Sequence, residues 1–74
     1  VSILPRISGR EVVAALIKAG YARDRQKGSH IVLRRAVHPH RRIVVPDHAD
    51  VAKGTLRAII KQTGLTVEEF KELL

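Results

Sequence analysis

The sequence predicts an α+β fold of αβββα order: a three-stranded antiparallel sheet with helices packed on one face and a short third helix at the C-terminus. Three observations point there. An apolar stripe at helical spacing follows a capping signature near the N-terminus. Three short stretches separated by Gly- or Pro-centred turns fill the middle, and two further helical patterns divided by Gly64 end the chain.

Each element has a local cause. Ser8 and Glu11 have the spacing of a capping box, in which each side chain satisfies a free backbone N–H, and Ile7 is placed to staple onto Val12. Val12, Val13, Leu16 and Ile17 predict one apolar stripe, which Gly20 ends as a left-handed cap. Residues 21–26 are polar with weak alternation and predict an edge strand. Lys27-Gly28-Ser29 reads as the turn after it, because Gly28 can take the positive φ that a tight hairpin needs. His30 to Arg35 is a strand rich in Ile31, Val32 and Leu33, and residues 36–40, with Pro39, are the next turn. Ile43, Val44 and Val45 form a third strand closed by Pro46, which cannot donate to a ladder. After a loop over residues 47–53, a helix from about Gly54 to Thr63 turns Leu56, Ile59 and Ile60 to the sheet and puts Arg57 and Lys61 on another face. Gly64 ends it. Thr66 and Glu69 repeat the capping-box spacing, with Leu65 and Phe70 as staple, for a last helix carrying Val67, Phe70, Leu73 and Leu74.

The 74 residues make a single domain, 1–74, with a thin core. A chain this short buries only about 60% of the surface its unfolded form exposes, so a protein partner has stability to add. There is no cysteine for a disulfide or a thiolate zinc site. No apolar run approaches the roughly 20 residues that span a bilayer, and the N-terminus lacks a signal-peptide layout, so a cytoplasmic protein without a membrane partner is expected. The net charge of +7 is concentrated: residues 23–61 hold ten Lys and Arg against three acids, whereas Arg6, Arg10, Lys18 and Lys71 are matched by Glu11, Glu68, Glu69 and Glu72. Such segregation attracts a polyanion, and phosphate backbones are the commonest one.

Two blocks carry a resemblance. The run Arg25-Gln26-Lys27-Gly28-Ser29-His30, leading into an apolar strand, resembles the glycine-serine-histidine signature of HicA toxins. Val45-Pro46-Asp47-His48, then Lys53-Gly54-Thr55-Leu56-Arg57, Ile60-Lys61-Gln62 and Gly64, is similar to the same family in order, spacing and context. With the first helix, the resemblance covers about residues 8–65. It implies a double-stranded-RNA-binding-domain-like fold, a translation-blocking mRNA endoribonuclease activity (an mRNA interferase), and neutralisation by a cognate HicB-type antitoxin. It maps the family's catalytic histidine onto His30. Residues 21–26 are more polar than the family's strand, and the acidic tail after Gly64 departs from the shared part.

The residue types suit that chemistry. RNA can be cut without a metal because its own 2′-OH is a nucleophile beside the scissile phosphate, and an imidazole with an unperturbed pKa of about 6.5 can take or give the proton. A hairpin histidine by itself is an ordinary turn residue; the two blocks together single out His30. Beside it, Lys27 can stabilise charge on the phosphorane, Gly28 admits a close backbone approach and Ser29 offers a phosphate hydrogen bond. His48, in the second block, is the candidate second proton carrier. For RNA binding, Arg25, Lys27 and Arg35 join a patch at the start of the second long helix. There Gly54 and Thr55 offer free N–H groups, and Lys53, Arg57 and Lys61 add charge. In double-stranded-RNA-binding domains that helix start crosses phosphates, so the patch is expected to share one surface with His30. Arg34, Arg41 and Arg42 extend a phosphate track, although strand alternation lets at most half of the sheet arginines reach one ligand.

His38, His40 and His48 are thinkable zinc ligands, but no cysteine helps and the acids do not cluster, so no metal or small-molecule cofactor is expected. Two rival readings remain at this stage. A non-catalytic RNA-binding module of the same fold would differ only in the Gly-Ser-His turn. A helix-turn-helix DNA-binding protein, bent at Thr63-Gly64-Leu65-Thr66, would push Glu68, Glu69 and Glu72 into phosphates against Lys71 alone. With Tyr21 and Phe70 as the aromatics, no platform for stacking unpaired bases exists, and weak sequence preference is expected. An antitoxin is expected to cover the basic face and His30 in competition with RNA.

Overall fold

The computed structural model describes residues 3–74, so the first two residues of the expected 1–74 domain lie outside the described residues. The order is α1 (Gly9–Lys18), β1 (Tyr21–Lys27), β2 (His30–Arg35), β3 (Arg42–Pro46), α2 (Lys53–Thr63) and α3 (Val67–Glu72). The strands are antiparallel with β2 in the centre. This is the αβββα layout that the capping and turn signals predict, with the short third helix after it.

The capping box of α1 forms as its spacing requires: the Ser8 hydroxyl accepts from the Glu11 N–H at 3.2 Å, and the Glu11 carboxylate accepts from the Ser8 N–H at 3.0 Å. Its buried stripe is Gly9, Val12, Val13, Ala15 and Leu16. Ile17, expected on that stripe, is 50% exposed. At about 100° per residue it lies a quarter-turn beyond Leu16, off the contact face, while Ala15 fills the opposite flank. Gly20, with φ 102°, turns the chain into β1.

Among the residues of β1 only Tyr21 is buried, so the polarity of this edge strand reflects side chains with nothing packed over them. Its register shifts between Arg23 and Arg25, a bulge at Asp24. Lys27 pairs with His30 and so belongs to the strand, which shortens the expected three-residue turn to Gly28-Ser29. Gly28 has φ 59° and is the first of the two turn residues, the position where a type II′ hairpin requires glycine.

The core lies between the sheet and the helices. Ile31 pairs with Val45 and Leu33 with Ile43, and all four are at most 1% exposed. Leu16 of α1, Leu56, Ile59 and Ile60 of α2, and Phe70 of α3 join the same cluster. The α3 capping box, Thr66 with Glu69, also forms, and it turns Phe70 fully inward, whereas Leu74 stays 47% exposed. The segment before α1 is tied to the loop before α2 by the Val51 N–H donating to the Ile7 carbonyl at 2.9 Å. Arg6 and Asp50 pair beside it at 2.8 Å. The hydrogen bond to Asp50, and then its charge, holds the Arg6 guanidinium above its ordinary value, but both groups are exposed and water screens the pair.

Candidate nucleic-acid interface

One end of the sheet brings the two sequence blocks together. At the hairpin, His30 pairs with Lys27 on β1 and with Pro46 on β3. The Asp47 N–H donates to the Ser29 carbonyl at 2.7 Å, and the His48 N–H donates to the Pro46 carbonyl at 2.9 Å. The Gln26 side-chain amide donates to the Gly28 carbonyl at 3.2 Å and to the Asp47 carboxylate at 3.3 Å. That carboxylate also lies 3.5 Å from Arg10 Nε. The start of α1 closes the cluster, with the Gly9 N–H donating to the His48 carbonyl at 2.8 Å.

These bonds give jobs to four residues that sequence reasoning left without one. Gln26 and Asp47 brace the turn and stand inside the two blocks, which was the available signal. Arg10 carries no signal, since a basic residue in a first helical turn runs against the helix dipole and says nothing of its partner. Gly9 is required because a Cβ there would sit 2.0 Å from the Pro46 carbonyl oxygen.

Register assigns the faces, because partners across an antiparallel ladder point to the same side. Ile31 and Leu33 point to the helices, so His30, Val32 and Arg34 point away from them. The ring of His30 is therefore presented on the open face of the sheet, exposed, with Lys27 beside it and Arg25 in the next row. The surface expected to unite His30 with all the α2 cations forms only in part. β3 runs toward the hairpin and residues 47–52 lead directly into α2, so Lys53, Gly54 and Thr55 begin at the hairpin end. Ala52, the residue before them, provides no side-chain cap. Arg57 and Lys61 ride on a helix packed against the other face, and the hairpin histidine leaves the sheet away from them. The reason is the odd-even parity of β2, which the buried Ile31 dictates.

Arg35 stands apart as well. It pairs with Tyr21 at the far end of β2, about 17 Å from His30 at roughly 3.4 Å per residue. Arg34 and Arg42 pair with each other on the open face. His38 and His40 occupy the loop at that far end with ring centroids 5.9 Å apart, and His40 Nδ1 lies 3.1 Å from the Arg35 carbonyl oxygen. His48 is at the hairpin end, so the three histidines do not meet. Among the described residues no group of three His, Cys, Asp or Glu gathers, and no helix is long and apolar enough to cross a membrane.

Residues 9–65 match the family model described as the HicA toxin of bacterial toxin-antitoxin systems. No match was found among curated proteins. The matched span runs from the first residue of α1 to just past the Gly64 cap. It contains both blocks and leaves out α3, in line with the departure of the acidic tail. A toxin of this kind implies an antitoxin as its partner. With more than half of its length matched, and with both signature blocks meeting at one end of the fold, the chain belongs to the HicA toxin family.

Proposed function

We propose that this toxin is a metal-independent mRNA endoribonuclease in which His30 moves a proton at the scissile phosphate. The observation that carries the reading is the meeting of the two blocks: an exposed histidine held between Lys27 and Pro46, with the Asp47 N–H bonded back onto the turn. The whole chain, 1–74, acts as one RNA-binding and ribonuclease domain in the cytoplasm.

In this reaction the 2′-oxygen attacks phosphorus, its proton goes to a base, and the 5′-oxygen leaves with a proton from an acid. His30 fills one of these roles. His48 is the second proton carrier, a role supported by its backbone bonds to Pro46 and Gly9 at the hairpin end. Lys27 stabilises the phosphorane charge, Gly28 lets the backbone approach, and the Ser29 hydroxyl holds a phosphate oxygen. Arg25 and Lys27 bind RNA beside the ring, and Lys53, Gly54 and Thr55 take phosphates at the start of α2. Arg35, Arg57 and Lys61, at the far end and on the helix side, draw RNA in through the field of their charge. A cognate HicB-type antitoxin neutralises the toxin by covering the hairpin end in competition with mRNA.

The test is induced expression of the wild type beside His30→Ala, with purified proteins incubated with an mRNA transcript in chelator. Wild type is expected to arrest growth and cut the transcript. His30→Ala should lose activity by at least about 100-fold with an unchanged circular dichroism spectrum. Equal arrest by both proteins removes the histidine mechanism, and intact RNA after prolonged exposure to wild type replaces the nuclease by a binding module.

A further inference from the structure

The face of the sheet turned away from the helices is open, and its charge is one-sided. Its rows across the strands are Lys27–His30–Pro46, Arg25–Val32–Val44 and Ala22–Arg34–Arg42. Four of these side chains are Lys or Arg and none is acidic. Asp24, next to Arg25, sits at the bulge on the edge strand and lines a depression with Ala22 and Arg34, while Asp47, next to Pro46, is engaged by Gln26 and Arg10. The ion pairs Arg6–Asp50 and Arg10–Asp47 lie off this face. Val32 and Val44 pair in the middle, with Val44 48% exposed and no element laid over it.

We infer that this face is the binding site for single-stranded RNA, which runs from the Arg34–Arg42 row to His30. The inference rests on the ribonuclease reading for what happens at His30, and on charge and register alone for the binding. Four cations against the one acid at the edge of this face select a polyanion. Along β2, Arg34 lies about 14 Å from His30, and adjacent strands are about 4.8 Å apart, so the face suits a single strand lying across it. Such a strand can set phosphates on the four cations and turn bases onto the two valines. A duplex keeps its bases stacked inside and leaves the valines bare. Docked through α2, as double-stranded-RNA-binding domains dock, a duplex would meet the side of the molecule from which His30 turns away. Arg34 and Arg42 are thus positioning residues, anchoring the strand at a distance from the reacting phosphate. Without an aromatic on the face, base identity is read weakly.

The experiment uses the full chain and a mixed-sequence 2′-O-methyl RNA oligonucleotide, which lacks the nucleophile and stays intact, alone or annealed to its complement. Wild type should bind the single strand more tightly than the duplex. The double variant Arg34→Gln/Arg42→Gln should bind it about tenfold more weakly, with the slope of log affinity on log salt reduced by about 1.4, about 0.7 for each lost phosphate contact. Lys18→Gln, an exposed lysine on α1, is the charge control. Circular dichroism checks each fold, and NMR shift mapping on wild type gives a reading independent of any variant. Shifts confined to α2, tighter binding of the duplex, or a double variant no weaker than Lys18→Gln would overturn the inference even if His30→Ala abolishes cleavage. A face perturbed by the antitoxin but not by RNA assigns it to a protein partner and overturns it too. Binding on this face by a wild type that never cuts ordinary RNA would support the inference and end the ribonuclease reading instead.

Discussion

Gly9 is where the fold tolerates no side chain. Its neighbour at 2.0 Å from a built Cβ is a backbone carbonyl, so relief requires β3 or α1 to move rather than a flexible side chain to swing aside. The Gly9 N–H is also the bond that holds the His48 carbonyl. Gly9→Ala is therefore expected to destabilise by about 1–3 kcal/mol, the usual cost of overpacking. At roughly 4–8 °C per kcal/mol for a domain of this size, thermal unfolding would report it. The loss should come with reduced cleavage, because the strain falls on the end of β3 that flanks His30. An unchanged melting temperature would mean that α1 docks differently from the geometry described.

At the scale of the element, the hairpin separates strain at the site from strain elsewhere. Gly28 and Gly64 both have positive φ, 59° and 79°, and both face open space. Valine at either position costs about 1–2 kcal/mol of backbone strain. Gly28→Val should also shift the Lys27–His30 pair and cut cleavage far more than the loss of folded protein explains. Gly64→Val, at the cap of α2, should lower stability to a similar degree and leave cleavage per folded molecule intact. Activity that tracks the folded fraction equally in both variants would show that the turn serves folding alone. Polar β1 is legible in the sequence only as a weak strand for a separate reason. Its residues pair with β2 through backbone bonds, and the side chains of residues 22–27 contribute little to the core.

At the scale of the molecule, a chain of this length has a total stability of about 4–11 kcal/mol, at roughly 0.05–0.15 kcal/mol per residue. Phe70 is fully buried on a helix that lies outside the matched family span. Truncating a buried Phe costs about 3–5 kcal/mol, so Phe70→Ala should remove a large share of that stability, and at the low end of the range it leaves a population close to its unfolding midpoint. A partner that binds only the folded toxin restores about 2.7 kcal/mol when present at 100 times its Kd. The variant should therefore regain a cooperative thermal transition when its antitoxin is added. A cooperative, wild-type melt without the antitoxin would show that α3 is dispensable to the core.

By itself the sequence determined whatever depends on near neighbours in the chain. Ser8 with Glu11 and Thr66 with Glu69 declare their helices because capping is settled within one turn. The Gly28 turn and the apolar runs at residues 31–33 and 43–45 declare the hairpin and the third strand for the same reason, while which side of them is buried comes from the packing of the helices. The family blocks marked out His30 without saying what surrounds it. Only the tertiary structure decided that Ile17 faces solvent, that Gln26 and Asp47 brace the turn across the sheet, that Arg35 lies at the far end, and that His30 opens away from Arg57 and Lys61. Each of these depends on strand register and on which side the helices pack. Those are fixed by contacts between residues distant in the chain, where periodicity and capping carry no information.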